Sequence, residues 1–293
     1  VRLLKKHGVS FVFDSKVQQI EVSERSQVQG VQLANGQSIP CDLVVSNADP
    51  ILVYSQMVPQ KFRRKNTDRR VLNMKSSMGL FVIYFGTDRT YPELAHHTIL
   101  LSKRYKGLLK EIFDKKILPD ELSLYLHAPT RTDSSLAPPN HECFYVLAPV
   151  PNNDSGIDWN TQGELYKDRI LDWLDENYIP GLRQHLVTET FVTPDYFQNK
   201  LHSYRGAGFG IEPRLTQSAY FRFHNRSEDV EGLYFVGAST HPGAGVPGVL
   251  STAKATDRLI PRAQRPWLGE HASGEEARAQ SAPTGSVMEA SQP

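Results

Sequence analysis

Apolar residues recur along the chain in short, dense runs separated by polar connections, which is the pattern of strands rather than of long helices. Val9-Ser-Phe-Val-Phe13 reads as a buried strand, and Val17 to Val22 as a second extended piece with Ile20 and Val22 on one face. Asn35-Gly36, flanked by Val31 and Leu33 on one side and Ile39 on the other, predicts a hairpin with a type I′ turn. Leu43-Val44-Val45 is a wholly apolar run of the kind found in parallel strands covered on both faces, and it stops at Ser46-Asn47-Ala48-Asp49-Pro50. Small residues at the carboxyl end of such a strand suit the close approach of a ligand, with an ordinary loop as the plain alternative.

From Val71 onward the runs become aromatic and β-branched. Leu80 to Phe85, Leu122 to His127 and Cys143 to Ala148 predict strands of a mixed or antiparallel sheet. Gly163 to Tyr178 carries Leu165, Ile170, Leu171, Trp173 and Leu174 near helical spacing and stops at Pro180-Gly181, so an amphipathic helix is expected. Leu233 to Val236 predicts another buried strand, followed by a glycine-rich segment and then a helix over Val249 to Ile260. Residues 261–293 hold hardly any large apolar side chain beyond Trp267 and Leu268 and are read as a disordered tail.

Composition narrows the function classes. Of 293 residues, 33 are basic and 32 acidic, a net charge of +1 that offers no global field for nucleic acid. Cys41 and Cys143 are the only cysteines and show no Cys-x-x-Cys or Cys/His spacing, so neither a disulfide framework nor a zinc site of that type is supported, and a reducing compartment is the default. Mean hydropathy is −0.42, and no apolar stretch is long enough to span a bilayer, which leaves surface attachment open. The opening Val1-Arg-Leu-Leu-Lys-Lys-His-Gly8 reads as the last turns of a helix, and a further N-terminal portion is expected ahead of it.

The segment richest in chemistry is Gly237 to Gly248. Four glycines between a strand and a helix allow backbone to pass against a flat ring or a phosphate, and the free N–H groups opening a helix favour partial negative charge. Walker A is excluded because no Gly-Lys-Ser/Thr occurs, and the Rossmann fingerprint is read as unmatched in spacing. A tight structural turn is the alternative.

Leu233-Tyr-Phe-Val-Gly-Ala-Ser-Thr-His-Pro-Gly-Ala-Gly-Val-Pro-Gly-Val-Leu-Ser-Thr-Ala-Lys-Ala-Thr256 resembles the C-terminal flavin-binding signature of bacterial and fungal phytoene desaturases, in the carotenoid desaturase and isomerase family. Leu94-Ala-His-His-Thr98, Phe113, Leu122 to Pro129, Thr132 to Pro138, Tyr145 to Pro151, Pro180 to Arg183, Leu215 to Arg222 and His224 to Arg226 extend the resemblance over roughly residues 1 to 260. It implies an α/β protein: a partial Rossmann-like FAD-binding domain whose N-terminal glycine-rich strand, turn and helix are expected to be missing, plus a substrate domain built on a mixed or antiparallel sheet. The expected division is 1–70 and 231–260 for the FAD-binding part, 71–230 for the substrate part and 261–293 for the tail.

The implied activity is desaturation of phytoene, with hydride leaving an allylic carbon for flavin; a carotenoid isomerase, a later desaturase and a noncatalytic truncated remnant are the alternatives. The resemblance implies FAD held by Val17, Asn47, Ala48, Gly237, Ala238, Thr240, His241, Gly245, Pro247, Gly248 and Val249. It also implies a hydrocarbon tunnel to which Tyr84, Phe85, Tyr125 and Phe209 are candidates, each with core packing as the alternative. His241 is the one proton-acceptor candidate, with backbone positioning as its other reading. The expected partners are an isoprenoid substrate and a membrane surface, contacted from the cytoplasmic side without a crossing helix; no nucleic acid and no metal are expected, and the oligomeric state is left open.

Overall fold

A computed structural model describes residues 1–261. The tail reading at 261–293 lies almost wholly outside them. Ten strands run along the described chain: β1 (Val17–Val22), β2 (Val28–Leu33), β3 (Ser38–Pro40), β4 (Val44–Ser46), β5 (Gly79–Thr87), β6 (His97–Leu100), β7 (Leu124–His127), β8 (Glu142–Val150), β9 (Leu186–Val192) and β10 (Leu233–Phe235). They form an antiparallel sheet β1-β2-β3, a parallel pair β10-β4 and a five-stranded sheet β6-β7-β8-β5-β9 whose neighbours are all antiparallel. The architecture is thus mixed α/β with antiparallel sheets.

In the five-stranded sheet burial alternates strictly along β7 and β8, whereas β5 is buried on both faces except at Tyr84. Phe81, Ile83, Phe85, Leu124, Leu126, Phe144, Val146 and Ala148 all point to one face, where a long helix (Trp159–Asn177) lays Trp159, Tyr166, Ile170, Leu171 and Leu174 against them. Asp158 starts that helix by accepting the Asn160 N–H at 3.0 Å. Each fully buried aliphatic side chain here contributes on the order of 1.5–3 kcal/mol of transfer free energy. Leu165, counted in the helical pattern, instead faces solvent, at 65% exposure. The opposite sheet face carries Tyr84, Tyr125, His127, Tyr145 and Leu147, paired Tyr84 to Tyr145, Tyr125 to Leu147 and His127 to Tyr145, and none of these is fully covered. A second core joins Ile20, Ile51, Val53, Tyr54 and Val71 to Phe223, Leu233 and Phe235, so early and late chain segments share one interior.

Four local expectations change. Val9 to Phe13 is not a strand: among the described residues nothing pairs with it, and Val12 and Phe13 are largely exposed. β4 is covered on one side only, with Val45 48% exposed. The β2–β3 hairpin forms as predicted, pairing Val31 with Ile39, but its turn is closed by Gly36 N–H donating to Leu33 at 2.9 Å with Gly36 alone at positive φ, whereas type I′ needs two such residues. The last helix spans Val246–Asp257 and so begins three residues earlier than the Val249 start expected, because Pro247 is well suited to a first helical turn.

Candidate functional site

β4 and β10 run parallel, pairing Val44 with Leu233 and Ser46 with Phe235, so the chain leaves both strands at the same edge. The loop after β4 turns at Asp49, whose carboxylate accepts the Ile51 N–H at 3.0 Å. The loop after β10 folds on itself: the buried Thr240 hydroxyl donates to the Gly237 carbonyl at 2.8 Å, and the Gly237 N–H donates to the Thr252 hydroxyl at 3.0 Å. Between the two loops lies a cleft of about 230 Å³, lined by Asn47, Ala48, Asp49, Val236, Ala238 and Ser239 and walled across from them by Ser203, Gly208 and Gly210.

Gly210 is a position where only glycine fits. It sits at φ +71°, and a Cβ there would meet the Ser239 hydroxyl at 2.1 Å. This close approach seats the Gly206–Gly210 segment on the loop after β10. The same segment crosses Leu80, which would lie 2.4 Å from a Cβ at Gly208. Leu80 and Tyr84 point to the same side of β5, so the segment that walls the cleft also crosses the sheet face that carries Tyr84.

Arg222 holds the signature loop from behind. Its guanidinium, 4% exposed, donates to the Thr240 carbonyl at 3.1 Å and to the Ala238 carbonyl. Burial lowers its pKa, and Asp49 opposes that shift. Burial in turn pushes the Asp49 carboxyl above the usual carboxylate range, against the Ile51 and Tyr204 N–H groups and Arg222. The loop is therefore anchored by one buried cation bonded to two carbonyls.

Of the residues singled out in the sequence, the structure brings Asn47, Ala48 and Ala238 together in the cleft wall. Gly237 supports that wall, and Thr240 is fully buried and braces the loop from inside. His241 points elsewhere, into a separate cavity with Tyr220, His224 and Asn225. Val17 is a half-buried β1 residue paired with Leu33 and does not line the cleft. Gly245 caps the last helix, and Pro247, Gly248 and Val249 form its first turn, which no side chain caps. Tyr84 and Tyr125 share the open sheet face, while Phe85 points the opposite way and stacks on Phe144 in the core, centroids 5.0 Å apart. Phe209 lies in the crossing segment, its N–H donating to the Ser77 hydroxyl at 3.0 Å. Sequence reasoning missed Arg222, Ser239 and Gly210; the spacing Gly206-Ala-Gly-Phe-Gly210 is a signal that pointed to the last.

The glycine spacing also needs correcting. Gly243-Ala-Gly-Val-Pro-Gly248 does match Gly-x-Gly-x-x-Gly and does open a helix. What separates it from a dinucleotide turn is the 236–242 excursion between β10 and its first glycine, which a strand–turn–helix fingerprint lacks.

The profile of the flavin containing amine oxidoreductases matches residues 1–259. This chain belongs to that family. The family's cofactor is a flavin, in agreement with the FAD expectation. Among curated relatives, the chain is 44% identical over 261 residues to the lycopene-forming phytoene desaturase of Pseudescherichia vulneris, covering 89% of this chain and 53% of that protein. It is 40% identical over 270 residues to the neurosporene-forming phytoene desaturase of Rhodobacter capsulatus, covering 90% and 52%. The chain spans about half the length of the curated relatives it matches. A solved oxidoreductase from Methanosarcina mazei aligns with TM-score 0.52 at 18% identity over 83% of this chain and 49% of its own. A putrescine oxidase variant aligns with TM-score 0.56 at 12% identity over 88% and 51%. These two likenesses concern the fold alone.

Proposed function

We propose that this chain forms the closing flavin wall and the substrate sheet of an FAD-dependent desaturase acting on phytoene. The observation that carries the reading is the junction of the cleft at the ends of β4 and β10 with the tyrosine face of the large sheet, through Gly206–Gly210. The identity to phytoene desaturases over nine-tenths of the chain supports the same substrate class.

The cleft suits a flavin edge. Its walls are small residues and backbone; the last helix, whose start is not among the lining residues, opens with the Val246 and Gly248 N–H groups uncapped by any side chain, while Pro247 has no N–H and the Val249 N–H donates to the Gly245 carbonyl at 2.8 Å. Asn47, Ala48 and Ala238 would hold the cofactor from the loops, and Gly248 and Val249 from the helix start. Bound flavin supplies a two-electron acceptor for hydride. Arg222 fixes the Ala238 and Thr240 carbonyls, and so presents the loop in one shape without reorganisation. Tyr84, Tyr125 and Tyr145 offer an aromatic surface for an apolar polyene, which has no charged handle and is selected by length and shape. Burial pushes the Tyr145 hydroxyl up to about 12, so it stays neutral at physiological pH. His241, outside the cleft, is assigned no proton transfer.

Among the described residues no helix is long and apolar enough to cross a membrane. The lipid solubility of phytoene and the exposed Leu215, Tyr220, Phe221 and Val246 support delivery from a membrane surface. Expression of the gene encoding this chain in phytoene-accumulating cells, followed by pigment chromatography, tests the reading. Longer conjugated polyenes are expected; phytoene persisting unchanged beside a folded, flavin-loaded protein overturns it.

A further inference from the structure

The Leu94-Ala-His-His-Thr98 motif takes no part in the cleft, yet its two histidines meet a third. His97 in β6 pairs directly with His127 in β7, and His96 immediately precedes β6. A nitrogen from each of the three rings lies within 4.8 Å of the others, and the Nε2 atoms of His96 and His127 are 2.8 Å apart. We infer that His96, His97 and His127 form a binding site for a divalent transition-metal ion of the zinc class. The inference stands independently of the flavin reading.

Three nitrogens on a tetrahedral zinc ion, at Zn–N lengths of about 2.0–2.1 Å, stand roughly 3.4 Å from one another. That separation falls between the two distances seen, so small ring rotations suffice to admit an ion. The outer nitrogens are already engaged where a ligand histidine needs them. His97 Nδ1 meets the Tyr125 hydroxyl at 2.7 Å, and His96 Nδ1 meets the Thr132 hydroxyl, which fixes each ring and, in His96, leaves Nε2 facing His127. His127 Nδ1 is buried without a hydrogen-bond partner, so the ring has no competing anchor drawing it from the cluster.

The rings are also packed closely enough to converge on one ion. The ring centroids are 4.3, 4.7 and 5.0 Å apart, and the 2.8 Å contact between His96 and His127 is an N–H···N bond whose proton an ion would replace. The donor set is all imidazole, which suits zinc and disfavours calcium and magnesium, whose ligands are oxygens. His97 is exposed, so the fourth position opens to water.

The test is a zinc titration of the full chain, stripped with chelator, in competition with a chromophoric indicator, with cobalt absorption reporting coordination geometry. One tightly held ion per chain with a tetrahedral cobalt spectrum is expected. His97→Gln, at the surface and safe for folding, should weaken binding at least tenfold. Thr132→Val and Tyr125→Phe, which keep all three ligands, should each cost about 10- to 100-fold. His185→Gln, outside the cluster, should change nothing. Absence of stoichiometric zinc, or equal affinity in wild type and in His97→Gln with both folded by circular dichroism, overturns the site and leaves a hydrogen-bonded ring stack.

Discussion

The two faces of the molecule that matter most are built in opposite ways. The large sheet and its helix exclude water mainly through apolar side chains: Phe81 is fully buried, with ring centroids 5.6, 5.1 and 5.2 Å from Trp159, Tyr166 and Phe191. The signature loop after β10 buries little apolar surface. It is held by Arg222, Thr240 and Thr252 through bonds to backbone, while Val246 and Leu250 beside it are 75% and 68% exposed. The sheet is complete by itself, whereas the loop is shaped in advance with its outer surface uncovered. Non-directional burial serves where only stability is needed; directional bonds serve where a backbone must hold one shape against a ligand.

The largest test of this contrast is Phe81→Ala, which should lower unfolding free energy by about 3–5 kcal/mol in denaturant titration, because three aromatic neighbours cannot collapse into the space. A loss under about 1 kcal/mol would show that the sheet core is not the main source of stability.

Arg222→Met tests the other side. Two buried carbonyls lose a charged donor and Asp49 loses its compensating charge, so stability should fall by about 1.5–3 kcal/mol, and flavin affinity should fall further than in Phe81→Ala. Equal flavin affinity in both variants would erase the distinction between the regions.

Gly248→Val separates shape from stability. A Cβ at 248 would meet the Gly243 carbonyl oxygen at 2.7 Å, so the side chain pushes the glycine turn off the helix start rather than acting on the ring directly. Flavin reduction by substrate should slow on the order of 10²-fold, as for loss of one aligned donor, with a smaller melting shift than Phe81→Ala. Unchanged turnover would make the glycine a packing residue only.

The smallest expected effect concerns pH at the edge of the sheet layer. Hydrogen bonds from the Ser102 hydroxyl, and then from Arg104, hold the Glu121 carboxyl down at about 2 from an ordinary 4.5. A carboxyl depressed in the folded state stabilises above its unfolded pKa, and that contribution is lost as pH falls from 4.5 toward about 2. Glu121→Gln should therefore flatten the acid limb of the stability profile and leave neutral-pH flavin binding untouched; an unchanged acid limb would remove Glu121 from that account.

Much of this was legible along the chain. The aromatic and β-branched runs at 80–85 and 143–148 predict strands, and the two-residue period of a pleated strand then says which side chains share a face. Applied strictly, the same rule separates Phe85 from Tyr84, one position away, and so removes it from the tyrosine face. The strand, glycines and helix of 233–257 were legible as an order of elements, although the helix start was set by Pro247 and not by the last glycine.

The sequence by itself determined the strands at 17–22, 80–85, 122–127, 143–148 and 233–236, the hairpin, the amphipathic helix and the family, because these rest on local composition and on motifs contiguous in the chain; neither β6 nor β9 is legible in it, and the strand expected at 9–13 does not form. Only the tertiary structure decided that Arg222 clamps the Ala238 and Thr240 carbonyls, that Gly210 seats on Ser239, that His241 faces away from the cleft, and that His127 joins His96 and His97. Each of these depends on strand register or on contact between distant segments. Periodicity says which face a side chain takes, but register and packing say what stands opposite it.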